Sequence, residues 1–422
     1  SAVLNHEQKI NENWKAFLNA GHSYNLGSGY VQTSASRLYM LDEAGHFRNT
    51  LSAEKFALRN SYVQLGVQGT FHIGRVKNDV VFAADRNWYR AYWGYRVNGS
   101  LTFPPFGVVT GNLADGITGF TQNYPYSAVT GPIKTAVTRY AGLSVTDTLE
   151  YGKASVLLGI HHHSVDVTSY DKATGAATGT KHSSANSPTY GIVYKPTKDI
   201  SLYANHSESF DKGSVVGSGR MNTGAVLTPA KTKQNEIGVK VKSGNFLHTL
   251  SLFQIRQANS IDVQKSDGVY LENNGERENK GAEWAFTGSI ADRWDLVGGV
   301  SYSNFKQTKT KNGANDGKGV DGMPRWTGTM GIVYHPSEAW SVIGRMNYVG
   351  SGTINNGVIR VPSHVLFDLG AAYQTKIDKT PVTFRAMLYN VAGKDYWSMR
   401  DNSTSLALGA PRTFTFSANF EL

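Results

Sequence analysis

The residues best suited to chemistry are aromatic and arginine side chains that crowd into one stretch of the chain. Aromatic rings and guanidinium groups together suit the noncovalent binding of a flat molecule that carries negative charge. The alternation of side chains is blurred in this stretch, so the face that Trp88 occupies stays open. The alternative is that these residues pack within loops or line a membrane–water interface. The stretch contains Arg86, Trp88, Tyr89, Arg90, Tyr92 and Trp93, and similar residues elsewhere are Phe103, Phe106, Tyr124, Tyr126, Tyr396, Trp397 and Arg400.

Three consecutive histidines, His161, His162 and His163, are the second candidate for chemistry, as ligands of a metal ion. On a strand, His161 and His163 would share a face, but two ligands are too few and no carboxylate partner is evident nearby. Asp166 would fall on the opposite face. We therefore predict polar residues near a rim of the fold rather than a metal site.

The chain lacks the sequence motifs of common enzymes. It has no Gly-x-Ser-x-Gly elbow, no phosphate loop and no His-Glu-x-x-His motif. Cysteine is absent, which excludes disulfides and thiolate metal sites. The net charge is +10, but the basic residues are scattered, so nucleic acid is not a predicted partner. We predict that the protein is not an enzyme and that it holds no cofactor or metal.

Residues 282–302 carry the clearest structural pattern, and they show how such side chains would be positioned. Apolar residues alternate with polar ones on both sides of a short turn at 291–293. Side chains of a strand point to opposite faces with period two, so this pattern predicts a β-hairpin with one apolar and one polar face. Trp294 opens the second strand beside the turn, a position that suits a membrane–water interface.

The same pattern recurs from about residue 10 to the C-terminus and predicts about 16 strands. Every second connection is a short turn, such as 77–79 or 243–245, and the others are long. This asymmetry predicts an all-β, antiparallel transmembrane β-barrel with short periplasmic turns and long extracellular loops. A soluble β-sandwich or propeller is the alternative. The long connections are 94–137, 168–187, 211–232, 261–280, 308–324, 351–362 and 392–410.

The assignment of residues to an apolar and a polar face predicts specific positions and partners for certain side chains. Glu283 and Asp368 fall on polar faces, where each should pair with an inward arginine such as Arg325, Arg345 or Arg385. Aromatic residues beside the short turns should form a girdle at one interface. These residues are Tyr194, Trp294, Tyr334, Trp340 and Tyr373.

Several segments, in chain order, resemble TonB-dependent siderophore receptors. The resemblance implies a 22-stranded barrel that is closed by an N-terminal plug. Because this chain shows about 16 strands, no plug and no energy-coupling box, we expect residues 1–422 to be one domain, the C-terminal portion of such a barrel. The segments are LTPAK at 227–231, QNEIGVK at 234–240, NGE at 274–276, KGAE at 280–283, PRW at 324–326, VP at 361–362, FDLG at 367–370 and PRTF at 411–414.

The resemblance also implies a function in the bacterial outer membrane. The protein would bind and import a ferric siderophore, energised by the TonB complex through the missing N-terminal part. Iron chelates present flat and often anionic groups, which the aromatic and arginine residues would contact. Outer-membrane lipid and lipopolysaccharide would be further partners. The ligand-binding residues would be Arg86, Trp88, Tyr89, Tyr92, Trp93, Phe106, Tyr124, Tyr126, Trp397 and Arg400.

A passive diffusion porin is the alternative function, since about 16 strands would already close a barrel of that type. The long connection 94–137 could then fold inward. A role of the loops as an adhesin or phage receptor is compatible with both functions. If strands of a larger barrel are missing, the end strands would be unpaired edges in lipid. The isolated chain should then not form a stable closed barrel of the parent size.

Overall fold

A computed structural model describes most of the chain, whose contacts divide it into two compact units. Unit 1 is Ser1–His72, Asn78–Asp147 and Ile160–Asn186, and unit 2 is Ile73–Lys77, Thr148–Gly159 and Ser187–Leu422. The structure describes residues 1–31, 38–42, 44, 46–94, 107–112, 115–123, 125–129, 131–171, 174–211, 216–217, 219–225, 227, 230–354, 357–399 and 406–421.

Nearly all of the described secondary structure is β-strand, as the alternation predicts. The two helical segments, Tyr126–Ala128 and Lys311–Gly313, are single 3₁₀ turns, and no described helix is long and apolar enough to cross a membrane. The strands are β1 (Ala2–Lys9), β2 (Trp14–Val31), β3 (Leu38–Met40), β4 (His46–Ile73), β5 (Val76–Gly94), β6 (Gly107–Asn112), β7 (Gly116–Gln122), β8 (Ile133–Tyr151), β9 (Ala154–Tyr170), β10 (Ala177–Tyr194), β11 (Ile200–Asp211), β12 (Ala230–Ser243), β13 (Phe246–Lys265), β14 (Gly268–Ile290), β15 (Trp294–Lys309), β16 (Trp326–Tyr334), β17 (Trp340–Val349), β18 (Gly352–Ile354), β19 (Ile359–Val361), β20 (His364–Ile377), β21 (Thr380–Tyr389), β22 (Trp397–Met399), β23 (Leu406–Leu408) and β24 (Thr413–Phe420).

The strands pair in antiparallel fashion with neighbours in the chain. In unit 2, each strand from β10 to β17 pairs with the next, and the ladder continues through β20, β21 and β24. In unit 1, β2 pairs with β1 and β4, while β6 pairs with β4 and β7. Two further hairpins, β18–β19 and β22–β23, are short. This order is the meander that short turns between successive strands produce.

The sheet begins earlier than the sequence pattern predicts. Strand β1 pairs along its whole length with β2, although the prediction placed the first strand at about residue 10. Every residue of β1 is exposed, and its apolar residues stand together at Ala2, Val3 and Leu4 instead of alternating. A strand without period-two hydrophobicity gives no sequence signal, even when its backbone is fully paired.

Several of the predicted long connections are in fact extensions of paired strands. The connection predicted at 261–280 falls mostly within β13 and β14, which pair as far as Lys265 and Gly268. Likewise, β9 runs to Tyr170 and β10 begins at Ala177, inside the connection predicted at 168–187. Polar residues occupy both faces of these extensions, so hydropathy does not reveal them, while the backbone hydrogen bonds of the ladder simply continue.

The two faces of the sheet differ in polarity, and one of them exposes rows of apolar side chains. In unit 2, Leu250 and Trp284 are direct partners that are 49% and 43% exposed. In unit 1, Leu65 and Phe82 are similarly exposed, at 57% and 47%. Rows of exposed hydrophobic side chains on a long sheet are expected where lipid covers them. We call this side of each unit the apolar face and the opposite side, which carries residues such as Glu283, the polar face.

Aromatic pairs mark the ends of the apolar face beside the short turns. The rings of Trp294 and Tyr334 are 4.2 Å apart, and those of Trp340 and Tyr373 are 4.7 Å apart. Both pairs are direct cross-strand partners. The predicted clustering of aromatic residues beside the short turns is therefore confirmed. Amphipathic rings at the ends of membrane-crossing strands suit a membrane–water interface.

Glycines inside the strands lie opposite aromatic residues. A Cβ atom on Gly281 would overlap the ring of its partner Phe253 and the carbonyl oxygen of Tyr302. Gly238 stands in the same way beneath the ring of Tyr203. Aromatic rings that cover glycine in this manner compensate for its low strand propensity. Glycine is thus a packing requirement at these positions rather than a turn signal.

Candidate functional site

Asp368, on the polar face of β20, connects strand β17 to the turn after β21. Its carboxylate is 6% exposed, with Nη2 of Arg345 at 2.7 Å. It accepts hydrogen bonds from Nε of Arg345 at 2.8 Å and from the backbone N–H of Asn390 at 2.9 Å. The Asn390 amide donates in turn to the carbonyl oxygens of Lys394 and Ala410. The predicted pairing of Asp368 with an inward arginine is confirmed, with Arg345 as the partner.

Glu283, the other carboxylate expected to meet an arginine, has a different partner. Ser301, its direct neighbour on β15, donates a hydrogen bond from Oγ to Glu283 Oε1 at 3.0 Å. Within the part of the chain that the structure describes, no arginine forms an ion pair with Glu283. A neutral donor satisfies this carboxylate because it is directly opposite on the same face.

The predicted aromatic and arginine cluster on β5 is divided between the two faces. The guanidinium of Arg86 lies 5.8 Å from the ring of Trp88, so both stand on one side of the strand. By the period of two, this is the side of the exposed Phe82, and it is therefore the apolar face. Tyr89 and Trp93 stand on the polar face. The structure thus resolves the face of Trp88, which the sequence left open.

Arg59 gathers two tyrosines on the apolar face and was not identified from the sequence. Its guanidinium lies 5.1 Å from the ring of Tyr24 and 5.5 Å from the ring of Tyr92. Tyr24 and Arg59 are direct partners on β2 and β4. Because the two rings belong to strands far apart in the chain, spacing along the sequence gives no signal for the group. Tyr92 therefore stands apart from Trp93 and with the residues of the apolar face.

The polar face of unit 1 carries three aromatic side chains of β4 and β5, and two of them are in contact. The ring centroids of Phe56 and Trp93 are 5.2 Å apart, and Tyr89 occupies the same face of β5. All three side chains are half-buried. We call Phe56, Tyr89 and Trp93 the aromatic patch. Half-buried aromatic rings are suited to stacking against a flat ligand.

Tyr126 and Trp397, also predicted to contact ligand, lie in two different connections. Tyr126 packs on the buried residues Ala53 and Val129, and Nζ of Lys55 lies 5.0 Å from its ring. This packing fixes the 3₁₀ turn against β4. Trp397, in the short strand β22, is 44% exposed and accessible to a ligand. The other predicted contacts, Phe103, Phe106, Tyr124 and Arg400, lie outside the described residues.

The connection that carries Trp397 is held in place by its neighbour Tyr396. The Tyr396 ring packs against His364 in a tilted arrangement with centroids 4.3 Å apart, and its hydroxyl oxygen accepts a hydrogen bond from the backbone N–H of Ala410 at 3.3 Å. Burial lowers the pKa of His364, and the charge of Lys394 acts in the same direction. A neutral His364 packs against Tyr396 without the cost of a buried charge.

The histidine triplet has a carboxylate neighbour that the sequence does not reveal. The rings of His161 and His163 are 3.8 Å apart, and Nε2 of His161 lies 3.3 Å from Oδ1 of Asp85 on β5. His162, on the other face, is 2.7 Å from Oδ1 of Asn186. Among the described residues, no three His, Cys, Asp or Glu side chains are grouped as a metal site would require.

The segment 219–225 is anchored on the long hairpin of β13 and β14. Nε of Arg220 donates a hydrogen bond to Oδ1 of Asp262 at 2.6 Å, and this bond holds the pKa of Asp262 below its ordinary value. The Asn222 side chain donates to the backbone of Leu271 at 2.9 Å and accepts from it at 3.1 Å. The backbone N–H of Met221 also donates to the carbonyl oxygen of Val269 at 2.8 Å. One ion pair, one amide and one backbone hydrogen bond therefore fix this segment.

Replacing Asp262 with Asn should loosen the segment 219–225. We expect trypsin to cleave after Arg220 roughly threefold faster at neutral pH, the size typical of an exposed ion pair. Because the pKa of Asp262 is lowered in the folded state, this anchoring is present above its unfolded pKa of about 3.9 and is lost as pH falls through the lower folded value. Limited proteolysis followed by mass spectrometry measures the rate.

The matched control is Asp267→Asn, on the same hairpin, where the carboxylate accepts a hydrogen bond from the hydroxyl of Tyr270 at 2.6 Å. This change should leave cleavage after Arg220 at the wild-type rate, because it touches none of the contacts that hold the segment. Equal cleavage rates for wild type and Asp262→Asn would contradict the anchoring role.

Comparisons with known proteins agree with this geometry. A family model described as TonB dependent receptor-like, beta-barrel matches residues 2–391. The ferrichrome receptor FcuA of Yersinia enterocolitica is 26% identical over 441 residues, which cover 99% of this chain and 55% of that protein. The metal-pseudopaline receptor CntO of Pseudomonas aeruginosa PAO1 is 23% identical, covering 99% of this chain and 58% of that protein. The chain thus spans little more than half the length of these relatives.

Solved structures show the same architecture. BauA, the ferric preacinetobactin receptor from Acinetobacter baumannii, superposes with a TM-score of 0.82 at 30% identity, covering 98% of this chain and 61% of that one. The closed form of Fiu, the ferric-catecholate import receptor of Escherichia coli K12, superposes with a TM-score of 0.73 at 18% identity, which supports the fold alone. The paired antiparallel strands, the exposed apolar face and the family match lead to one conclusion. The chain belongs to the TonB-dependent receptor β-barrel family.

Proposed function

We propose that the protein carrying this chain is a receptor that binds a ferric siderophore at the cell surface and imports it with energy supplied through TonB. The family match over residues 2–391 is the observation that carries the proposal. Relatives named as receptors for ferrichrome and for ferric preacinetobactin support the siderophore as ligand. The family consists of transport receptors, and transport of this kind requires a binding surface rather than bond-making residues.

The chain is an outer-membrane protein, so the two faces of its sheet have different surroundings. The apolar face contacts lipid, so Arg86, Trp88 and Tyr92 are interface residues in this proposal rather than ligand contacts. The polar face offers the aromatic patch of unit 1. Trp397 offers a second exposed ring in unit 2. The proposed ligand contacts of unit 1 are therefore Phe56, Tyr89 and Trp93. In unit 2, Trp397 is proposed separately as a contact.

The chemistry of these residues suits a flat, anionic chelate. Aromatic rings stack on planar groups, and the positive charge of the chain, +10, draws anions towards it. The iron would arrive already bound by its chelator, so the protein needs no metal ligands of its own. Ferric siderophore is thus cargo in this proposal, and no cofactor is proposed.

Uptake of radioactive iron by iron-starved cells tests this function. Cells with and without the gene are offered hydroxamate, catecholate and hydroxycarboxylate chelates of ferric iron in turn. At least one chelate class should enter only the cells that have the gene, because ferric chelates are too large for free diffusion through small pores. If the gene changes uptake of no chelate class, the proposed cargo is wrong, although the family assignment is unaffected.

A further inference from the structure

Beside the short turns of unit 2, three side chains are joined by hydrogen bonds in the order Ser, His, Asp. Asp295 is the second residue of β15, His335 follows the last residue of β16, and Ser341 is the second residue of β17. Nε2 of His335 lies 2.9 Å from Oδ2 of Asp295, and Nδ1 of His335 lies 3.1 Å from Oγ of Ser341. We call Asp295, His335 and Ser341 the short-turn triad.

The register of the strands brings these three residues to the polar face. Trp294, Tyr334 and Trp340 belong to the aromatic pairs that mark the ends of the apolar face. By the period of two, the residue after each of them points to the opposite face, and these residues are the members of the triad. The backbone N–H of His335 also donates to the carbonyl oxygen of Arg293 at 2.8 Å. This bond fixes the start of the turn against β15.

The carboxylate of Asp295 determines which nitrogen of His335 carries the proton. Ser289, the direct partner of Asp295 on β14, donates a hydrogen bond from Oγ to Oδ1 of this carboxylate at 2.6 Å. The other oxygen, Oδ2, faces Nε2 of His335. An ionised carboxylate accepts hydrogen bonds and donates none, so Nε2 of a neutral His335 holds the proton. Nδ1 then accepts the hydrogen bond from the hydroxyl group of Ser341.

This order of groups is the one that activates a serine for attack on a carbonyl carbon. Ser341 is the nucleophile, Nδ1 of His335 is the general base, and Asp295 orients the imidazole ring and stabilises its charged form. Such arrangements recur on unrelated folds and are recognised by geometry rather than by sequence position. The sequence carries no enzyme motif here because the three residues belong to different strands.

The triad is accessible to small molecules from the polar face. The side chain of Asp295 is 56% exposed and that of His335 is 36% exposed. The direct partner of Ser341 on β20 is Ala372, which adds only a methyl group beside the hydroxyl. Water that reaches the triad also screens its charges. We therefore expect it to act on carboxylic esters, which react more readily than amides.

We propose that the short-turn triad hydrolyses small carboxylic esters beside the periplasmic turns. Oγ of Ser341 forms a bond to the carbonyl carbon while its proton passes to Nδ1 of His335. The bond from this carbon to the alcohol oxygen breaks, and the leaving oxygen takes that proton. Water then attacks the acyl-serine with His335 as base, which releases the carboxylic acid and restores Ser341. This activity is additional to transport and does not rest on the proposed siderophore cargo.

Covalent labelling of the complete gene product, purified in detergent, tests the proposal. A fluorophosphonate probe reacts with an activated serine by forming a P–O bond and releasing fluoride, and mass spectrometry identifies the labelled residue. Ser341 of the folded wild type should be labelled at least about a hundredfold faster than Ser341 of the unfolded protein, a factor within the range of general-base catalysis. Ser341→Ala should lose this label and the hydrolysis of p-nitrophenyl acetate.

The matched control is Ser337→Ala, which removes an exposed hydroxyl from the same turn but outside the triad. This variant should be labelled at Ser341 and should hydrolyse the ester like wild type. Asp295→Asn tests the positioning role of the carboxylate. Its kcat for the ester should fall about tenfold or more while KM stays unchanged, because the amide no longer fixes the tautomer of His335. Asp295→Glu should restore part of the rate.

Four results would overturn the proposal. They are labelling of folded wild type no faster than that of the unfolded protein, hydrolysis that persists in Ser341→Ala, an equal loss of hydrolysis in Ser337→Ala, and a wild-type kcat in Asp295→Asn. Persistence in Ser341→Ala would assign the hydrolysis to another residue or to a contaminating enzyme. The comparison of folded with unfolded wild type requires no variant, so it decides the question even if Ser341→Ala does not fold.

Discussion

Replacing Trp93 with Ala should weaken binding of the transported ferric chelate by about tenfold or more, the loss expected for a central aromatic anchor. Trp93 is the ring of the aromatic patch nearest to the end of β5, and it packs against Phe56 at 5.2 Å. Its removal takes away stacking area on the polar face and leaves Phe56 without its neighbour. Equilibrium binding of the purified protein to the chelate identified by uptake measures the change.

Trp88→Ala is the control for this prediction, because it removes the same type of side chain from the same strand. Trp88 lies on the apolar face with Arg86, 5.8 Å from its guanidinium. Its loss should leave the affinity for the chelate unchanged. If Trp88→Ala weakens binding as much as Trp93→Ala does, the division of the cluster between the two faces has no functional meaning, and the proposed contacts are wrong.

Replacing Asp368 with Ala should produce the largest loss of stability among the changes considered. The carboxylate is 6% exposed and joins Arg345 to the backbone of Asn390. Removing it leaves the half-exposed guanidinium of Arg345 and the buried backbone N–H of Asn390 without their acceptor, a loss of about 1–3 kcal/mol. The temperature at which the folded form disappears on unboiled gels should therefore fall markedly.

Asp295→Ala removes an exposed carboxylate for comparison. Asp295 is 56% exposed and lies 2.9 Å from Nε2 of His335 beside a short turn. Exposed pairs contribute little, so this variant should unfold close to the wild-type temperature. Equal unfolding temperatures for wild type and Asp368→Ala would contradict the structural role assigned to the carboxylate.

The sequence predicts the hairpins that cross the membrane because lipid requires alternation. Leu250, Leu252 and Trp284 are exposed on one face of the folded chain, and only an apolar side chain is stable there. Strand β1 and the outer half of the β13–β14 hairpin have no such requirement. Their residues are polar or irregular in pattern. The sequence therefore shows no period-two alternation of hydrophobic residues there, although the backbone is paired in the same way.

The candidate site is less predictable, because its contacts join strands that are distant in the chain. The sequence identifies Trp93 as an aromatic residue in a dense cluster but does not identify Phe56 as its neighbour. In the same way, it gives Asp85 no connection to His161, although the two side chains are 3.3 Å apart in the structure. Asp368 is the exception, since the sequence predicts an inward arginine as its partner and Arg345 is one of the three that it names. The same reasoning fails for Glu283, which Ser301 satisfies instead.

The sequence also misplaces the short turn after β4 by a few residues. The sequence favours a turn at 77–79, where three polar residues stand together, but the strands reverse at Gly74 and Arg75. Gly74 has φ of +60°, a conformation that glycine adopts without strain. Asp79 instead accepts a hydrogen bond from the hydroxyl of Thr70 across the ladder. Polar residues on the polar face of a strand can therefore resemble a turn.

The energy dependence of ferric chelate uptake tests the central claim most directly. Initial uptake rates are measured in iron-starved cells that contain the complete gene product, with and without a functional TonB protein and with and without an uncoupler of the proton gradient. An energised receptor predicts saturable uptake that is lost in both the TonB-deficient and the uncoupled cells, while binding at the surface remains. Uptake that rises linearly with chelate concentration and persists under both treatments would contradict this account and would identify a passive pore.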